Sequence, residues 1–140
     1  MANERAEGTI GMESFKVLIV DDEEDFVDTM IRRLKAKGFD AHGVNRGKEA
    51  LELLDENDFD VCVLDVKMPG IDGIETLREM KKKKPLMEVI MLTGHGSVES
   101  GVQGLQLGAY NYVMKPVPFA DLLQQINQAY ERKMIEEERS

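Results

Sequence analysis

A short apolar run, Phe15-Lys16-Val17-Leu18-Ile19-Val20, stops abruptly at the pair Asp21-Asp22. A run this short, β-branched at its end, reads as a strand buried on both faces. The pattern recurs in Asp60-Val61-Cys62-Val63-Leu64-Asp65, which again ends in an acid. Phe39 to Val44, Met87 to Leu92 and Tyr110 to Met114 bring the strands to five. Apolar residues at helical spacing fill the intervals. Phe26, Val27, Met30, Ile31 and Leu34 lie on one helix face, and Gly38 closes that helix. Lys48 to Glu56 is a second helix with Ala50, Leu51, Leu53 and Leu54 inward. Ile74, Leu77 and Met80 mark a third, which ends in Lys81 to Lys84 and stops at Pro85. Val98, Val102 and Leu105 share one face of a fourth. Phe119, Leu122, Leu123, Ile126 and Tyr130 face inward from the fifth. Met68-Pro69-Gly70 reads as a turn.

Strands alternating with helices imply an α/β fold: a doubly wound, five-stranded parallel sheet with right-handed crossovers. In such sheets the site lies at the carboxyl ends of the strands, near the topological switch point. The residues at those ends are Asp21 and Asp22, Asp65, Thr93 and Lys115. Three carboxylates, one hydroxyl and one ammonium should therefore converge. Clustered carboxylates repel one another, and a divalent cation relieves the repulsion. Few oxygen ligands, open to water, suit Mg²⁺, with Mn²⁺ as a substitute. One carboxylate is then able to attack a phosphoryl group. The charge on the phosphoryl oxygens would be met by the cation, the Thr93 hydroxyl and the Lys115 ammonium.

Composition narrows the classes further. The chain has 140 residues, one domain's worth, and 42% are apolar, enough for one core. Its net charge of −9 disfavours direct nucleic-acid binding, which needs a basic surface. No apolar stretch approaches the ~18 residues of a membrane span, and residues 1–15 carry no apolar signal core. The single cysteine, Cys62, excludes an internal disulfide and fits the cytoplasm. His42 and His95 with one thiol cannot build a His/Cys zinc site.

Val20-Asp21-Asp22-Glu23, Asp65-Val66-Lys67-Met68-Pro69-Gly70, Leu92-Thr93-Gly94 and Lys115-Pro116 together resemble the receiver domain of bacterial two-component response regulators. The resemblance covers about residues 15–130. It implies a flavodoxin-like (receiver) fold with strand order 2-1-3-4-5. It implies that Asp65 accepts a phosphoryl group from a sensor histidine kinase. Asp22 and Asp65 would be direct Mg²⁺ ligands, with Asp21 acting mainly through a bound water and the Lys67 carbonyl as the third protein ligand. Thr93 would be the switch hydroxyl, Lys115 the phosphate counter-ion, and Tyr112 the aromatic that turns on activation. Lys115-Pro116 would be a cis peptide. The output would pass through the face of helix 4, strand 5 and helix 5 to a partner or output domain, with a homodimer as one active form. Such a domain catalyses its own phosphorylation and hydrolysis, and is a switch rather than a metabolic enzyme.

Residues 1–14 read as a loose leader, 15–130 as the domain, and 131–140 as a charged extension of the last helix or the start of a linker. Glu23, Glu24 and Asp25 read as acids that favour a helix start. Lys81 to Lys84 read as a solvated basic last turn, Cys62 as a core residue, His42 as a strand-face residue, and His95 as a loop residue at the site's rim. Gly101 and Gly104 lie inside the fourth helix. Each lowers its stability by ~1 kcal/mol relative to alanine, and they indicate either close packing on the sheet or a mobile switch. A haloacid-dehalogenase-like hydrolase would need an acid where Lys67 stands. A flavodoxin-like carrier would not place Asp21 to Asp25 against a cofactor phosphate. A pseudo-receiver that binds partners without phosphorylation is disfavoured by the intact acids, Thr93 and Lys115.

Overall fold

A computed structural model describes residues 15–66, 73–94 and 98–139. Five strands form one parallel sheet: β1 (Lys16–Val20), β2 (Asp40–Val44), β3 (Val61–Asp65), β4 (Glu88–Thr93) and β5 (Asn111–Met114). Their order is β2-β1-β3-β4-β5, as the resemblance implies. The chain reverses its direction of travel across the sheet after β2, so the switch point lies between β1 and β3. Five helices connect and cover the strands: α1 (Glu24–Ala36), α2 (Gly47–Glu56), α3 (Gly73–Lys83), α4 (Val98–Gln106) and α5 (Phe119–Arg139).

The continuous apolar runs have a direct cause. Alternate residues of each central strand serve two separate cores. Val17, Ile19, Val61, Val63, Ile90 and Leu92 join α1 and α5 on one face, with Leu34, Leu122 and Ile126. Leu18, Val20, Cys62, Leu64, Val89 and Met91 join α2 and α3 on the other, with Leu54, Leu77 and Met80. Burying each such side chain contributes roughly 1.5–3 kcal/mol. A polar residue on either face of β1, β3 or β4 would lose that contribution, so polar groups are pushed to the strand ends.

Helix α1 closes as its sequence predicts. Gly38 takes φ +96, and the Lys37 and Gly38 amides donate to Leu34 O and Lys35 O. The basic end of α3 is largely consumed internally. Lys83 pairs with Asp55 at 2.6 Å and Lys84 with Asp58 at 2.5 Å. Lys81 Nζ donates to Pro85 O and Met87 O.

Helix α4 departs from its apolar pattern. Val102 and Leu105 share a face, but that face points to solvent, at 46% and 41% exposure. The buried face carries Gly101 and Gly104 instead. Helix α5 continues through Arg139, so the charged extension is helical. Phe15 stacks on Tyr130 with centroids 3.9 Å apart, and Lys133 pairs with Asp60 at 3.1 Å.

Candidate functional site

The strand ends bring the predicted residues together. Asp21 directly follows β1, and its amide donates to Val44 O at 3.2 Å. Asn45 donates to the Asp21 carbonyl at 3.0 Å. The side chain of Asp21 is fully buried, and its Oδ1 accepts the Glu23 amide at 2.9 Å. Asp65 ends β3 and is 6% exposed. Asp22 is open to solvent. One carboxylate oxygen from each of Asp21, Asp22 and Asp65 lies within 4.8 Å of the others. Two buried acids and one exposed acid make an open, all-oxygen set on one side of the sheet.

Lys115 enters from the loop after β5. Its amide donates to Thr93 O at 2.7 Å, which continues the β4–β5 ladder one step past its end. The Lys115-Pro116 bond is cis, as expected. The ammonium lies 2.8 Å from Asp21 Oδ2, 3.1 Å from Glu23 Oε1 and 3.9 Å from Asp65 Oδ2. It also sits 5.1 Å from the centre of the Phe26 ring. Burial alone would lower its pKa. Its bonds to Asp21 and Glu23, with the charges of Asp21 and Asp65, outweigh burial and hold the group above its ordinary value. Lys115 is therefore a permanent cation in this site.

Thr93 is the last residue of β4 and is fully buried. Its Oγ1 has no hydrogen-bond partner among the described residues. Leaving a buried hydroxyl unpaired costs about 1–3 kcal/mol.

Tyr112 lies in β5, beside Met91 of β4. Its ring covers Gly101 of α4: a Cβ at residue 101 would stand 2.6 Å from two ring carbons. A Cβ at Gly104 would collide with the Met91 sulfur. Both glycines therefore permit close approach of helix to sheet. Beside the acids a groove of about 470 Å³ opens between α1 and the β5–α5 loop. Phe26, Met30, Pro116 and Val117 form its apolar walls.

Lys67, the turn at 68–70, His95 and the leader at 1–14 lie outside the described residues. Burial pushes the Cys62 thiol well above its ordinary pKa, as befits a core residue. His42 is on β2 and pairs with Asp40 at 2.8 Å, far from the acids in the strand register. Glu23 is a site contact that sequence reasoning missed. Its signal was hidden in an acidic run, because the contact depends on a lysine 92 positions away.

Fold and site define a doubly wound α/β domain with a lysine-bridged acidic centre at its switch point. Residues 17–127 match the response regulator receiver domain family, and the chain belongs to that family. It is 40% identical over 107 residues to an NtrX-like response regulator of Rickettsia conorii, a match covering 75% of this chain and 23% of that protein. It is 33% identical over 123 residues to the regulatory protein AtoC of Escherichia coli, covering 88% of this chain and 27% of that protein. The chain thus spans about a quarter of the length of these curated relatives. Among solved structures, a CheY-like receiver domain protein from Methanospirillum hungatei superposes with a TM-score of 0.84 at 32% identity, covering 88% of this chain and 98% of that one. The receiver domain of NtrX from Brucella abortus gives 0.78 at 31% identity, covering 82% and 98%. Receiver domains are parts of signalling switches rather than metabolic enzymes, and generally bind Mg²⁺ through an acidic pocket. Among the described residues no helix is long and apolar enough to cross a membrane.

Proposed function

We propose that Asp65 is the phospho-acceptor of a two-component response regulator. The observation that carries this reading is the convergence of Asp21, Asp22 and Asp65 within 4.8 Å, with the Lys115 ammonium reaching Asp21 and Asp65. A carboxylate oxygen of Asp65 attacks the phosphorus of a phosphohistidine on the sensor kinase. The phosphorus–nitrogen bond breaks, and the donor imidazole keeps the electron pair and takes up a proton. Lys115 offsets negative charge on one phosphoryl oxygen, and the unpaired Thr93 hydroxyl donates to another. The oxygen set fits Mg²⁺ or Mn²⁺: Asp22, Asp65 and the Lys67 carbonyl would hold it directly, and Asp21 through water. When bound, the cation supplies positive charge against the phosphoryl oxygens.

Thr93 moving towards the phosphoryl group vacates space that Tyr112 follows. The change is read on the face of α4, β5 and α5, where Val102, Leu105 and Met114 are exposed apolar side chains. Such a face suits an output domain, a partner protein or a second copy of the chain. The same site hydrolyses its own phosphoryl group and resets the switch. Residues 15–130 are the receiver, 1–14 a loose leader, and 131–140 a charged extension of the last helix or the start of a linker. A cytoplasmic setting suits the single buried thiol.

Intact mass after incubation with acetyl phosphate tests the reading, with and without Mg²⁺, on wild type and Asp65→Asn. One added phosphoryl group, metal-dependent and absent from the variant, is the expected result. No adduct on wild type, with rapid quenching and other small phosphodonors tried, would point to a binding module that works without phosphorylation.

A further inference from the structure

The Lys115 ammonium rests closer to two other acids than to the proposed acceptor. Asp21 is at 2.8 Å and Glu23 at 3.1 Å, against 3.9 Å for Asp65. The two nearer acids differ in freedom. The Asp21 side chain is fully buried, whereas that of Glu23 is 65% exposed. The backbone of Glu23 is tied down, because its amide donates to Asp21 Oδ1. Its carboxylate can therefore swing into water while its main chain stays in place. The Phe26 ring, about one turn along, lies 5.1 Å from the ammonium.

We infer that Glu23 is a positioning residue for phosphoryl transfer. In the resting site it holds Lys115 outward from Asp65, and it releases the ammonium when a phosphoryl group arrives there. The inference rests on the reading of Asp65 as acceptor. An ammonium has three donors; Glu23 accepts one, and Asp21 lies at ion-pair distance. A phosphoryl group on Asp65 adds negative charge close to Glu23. That charge attracts the ammonium and repels the carboxylate, so the exchange runs in one direction. Exposed ion pairs shift equilibria by small factors, about 1.4- to 5-fold. Glu23 is accordingly a tuning residue and not a lock. The run Asp21 to Asp25 looks uniform in sequence, yet on this reading its third member has a separate task.

The test uses beryllofluoride as a phosphoryl mimic, at Mg²⁺ concentrations that saturate each variant. Its affinity is measured for wild type, Glu23→Gln and Glu24→Gln. Glu24→Gln removes the same charge one residue further along and controls for long-range electrostatics. Glu23→Gln should bind beryllofluoride about two- to five-fold tighter than wild type. Its phosphorylation by acetyl phosphate should speed up by a similar factor. Glu24→Gln should move far less, and both variants should melt within a degree or so of wild type. The gain from Glu23→Gln should shrink as salt is raised. Equal affinities for Glu23→Gln and wild type would overturn the inference. So would equal gains in the two variants, since distance-independent charge would then suffice. If wild type itself bound no beryllofluoride, both this inference and the acceptor reading would fall.

Discussion

Replacing Gly101 with alanine sets two effects of known size against each other. Within a helix, alanine gains about 1 kcal/mol over glycine. In this protein the added Cβ meets Cγ and Cδ2 of Tyr112 at 2.6 Å and Cδ1 at 2.8 Å. Forcing a methyl into a packed contact costs about 1–3 kcal/mol. The net change is therefore between about zero and a loss of roughly 2 kcal/mol. Tyr112 is half-buried, so its ring is able to escape outward, which favours the smaller loss. The diagnostic quantity is the coupling. In a Tyr112→Ala background the obstacle is gone, and Gly101→Ala should yield the whole gain of about 1 kcal/mol. The double-mutant cycle should then give a coupling of about 1–3 kcal/mol. Urea unfolding of the four proteins, followed by far-UV circular dichroism, measures it. A coupling below about 0.5 kcal/mol, the range of independent sites, would show that the ring does not cover residue 101. The glycine would then serve the looseness of α4 and not its close approach. The same substitution probes function, because a displaced ring alters the face formed by α4 and β5.

Glu88 opens β4 nearly buried, and burial raises its pKa by more than Lys81 and Arg132 lower it. The folded state therefore binds this proton more tightly than the unfolded chain. Its contribution is fully present below the ordinary value of 4.5 and is lost as pH rises through the folded value. Glu88→Gln should thus be neutral or stabilising at neutral pH, with the advantage vanishing towards about pH 4.5. Melting curves of both proteins across that window decide it, and a wild type more stable at neutral pH would contradict the assignment. Cys62 is fully buried and its thiol pKa is pushed up, so it should resist a thiol reagent until the protein unfolds. Labelling rates that fail to rise with urea in step with the unfolded fraction would show a route to the thiol through the native state.

The central strands were legible because both their faces are buried. Val17 to Val20, Val61 to Leu64 and Val89 to Leu92 each feed two cores in alternation, so their sequences read as unbroken apolar runs. The site acids were legible for the complementary reason, since a carboxylate such as Asp21 or Asp65 appears only where the run ends. Helix α4 was harder to read. Its pattern of Val98, Val102 and Leu105 mimics an inward stripe, while glycines with no hydrophobic signal make the real contact. Glu23 was harder still. Its task is set by where the β5–α5 loop delivers Lys115, and no local pattern in Glu23 to Asp25 distinguishes one acid from the next. The lysines at the end of α3 illustrate the reverse case. Their charge suggested a solvated turn, and the structure adds partners in Asp55 and Asp58 from the preceding helix and loop.

The resting site is balanced unevenly, and that imbalance bears on how little energy a switch here would need. Asp21 and Lys115 form an ion pair at 2.8 Å, with the carboxylate buried and the ammonium partly open to solvent. Thr93 Oγ1 has no partner among the described residues, a deficit of about 1–3 kcal/mol. A charged phosphoryl oxygen is roughly twice as strong an acceptor as a neutral one. On the proposed reading, filling that deficit favours the state in which Thr93 has moved towards Asp65. A bias of about 3 kcal/mol changes a two-state ratio by roughly two orders of magnitude, since each 1.4 kcal/mol is tenfold. The opposing cost is repacking Tyr112 over Gly101, and there α4 has little intrinsic stability to resist, with two glycines at its contact face. On that reading the unpaired hydroxyl and the glycine-lined helix act on one equilibrium from its two ends. Substituting the glycines should move the resting population even without phosphate, whereas loss of the Thr93 hydroxyl should act only once a phosphoryl acceptor is present.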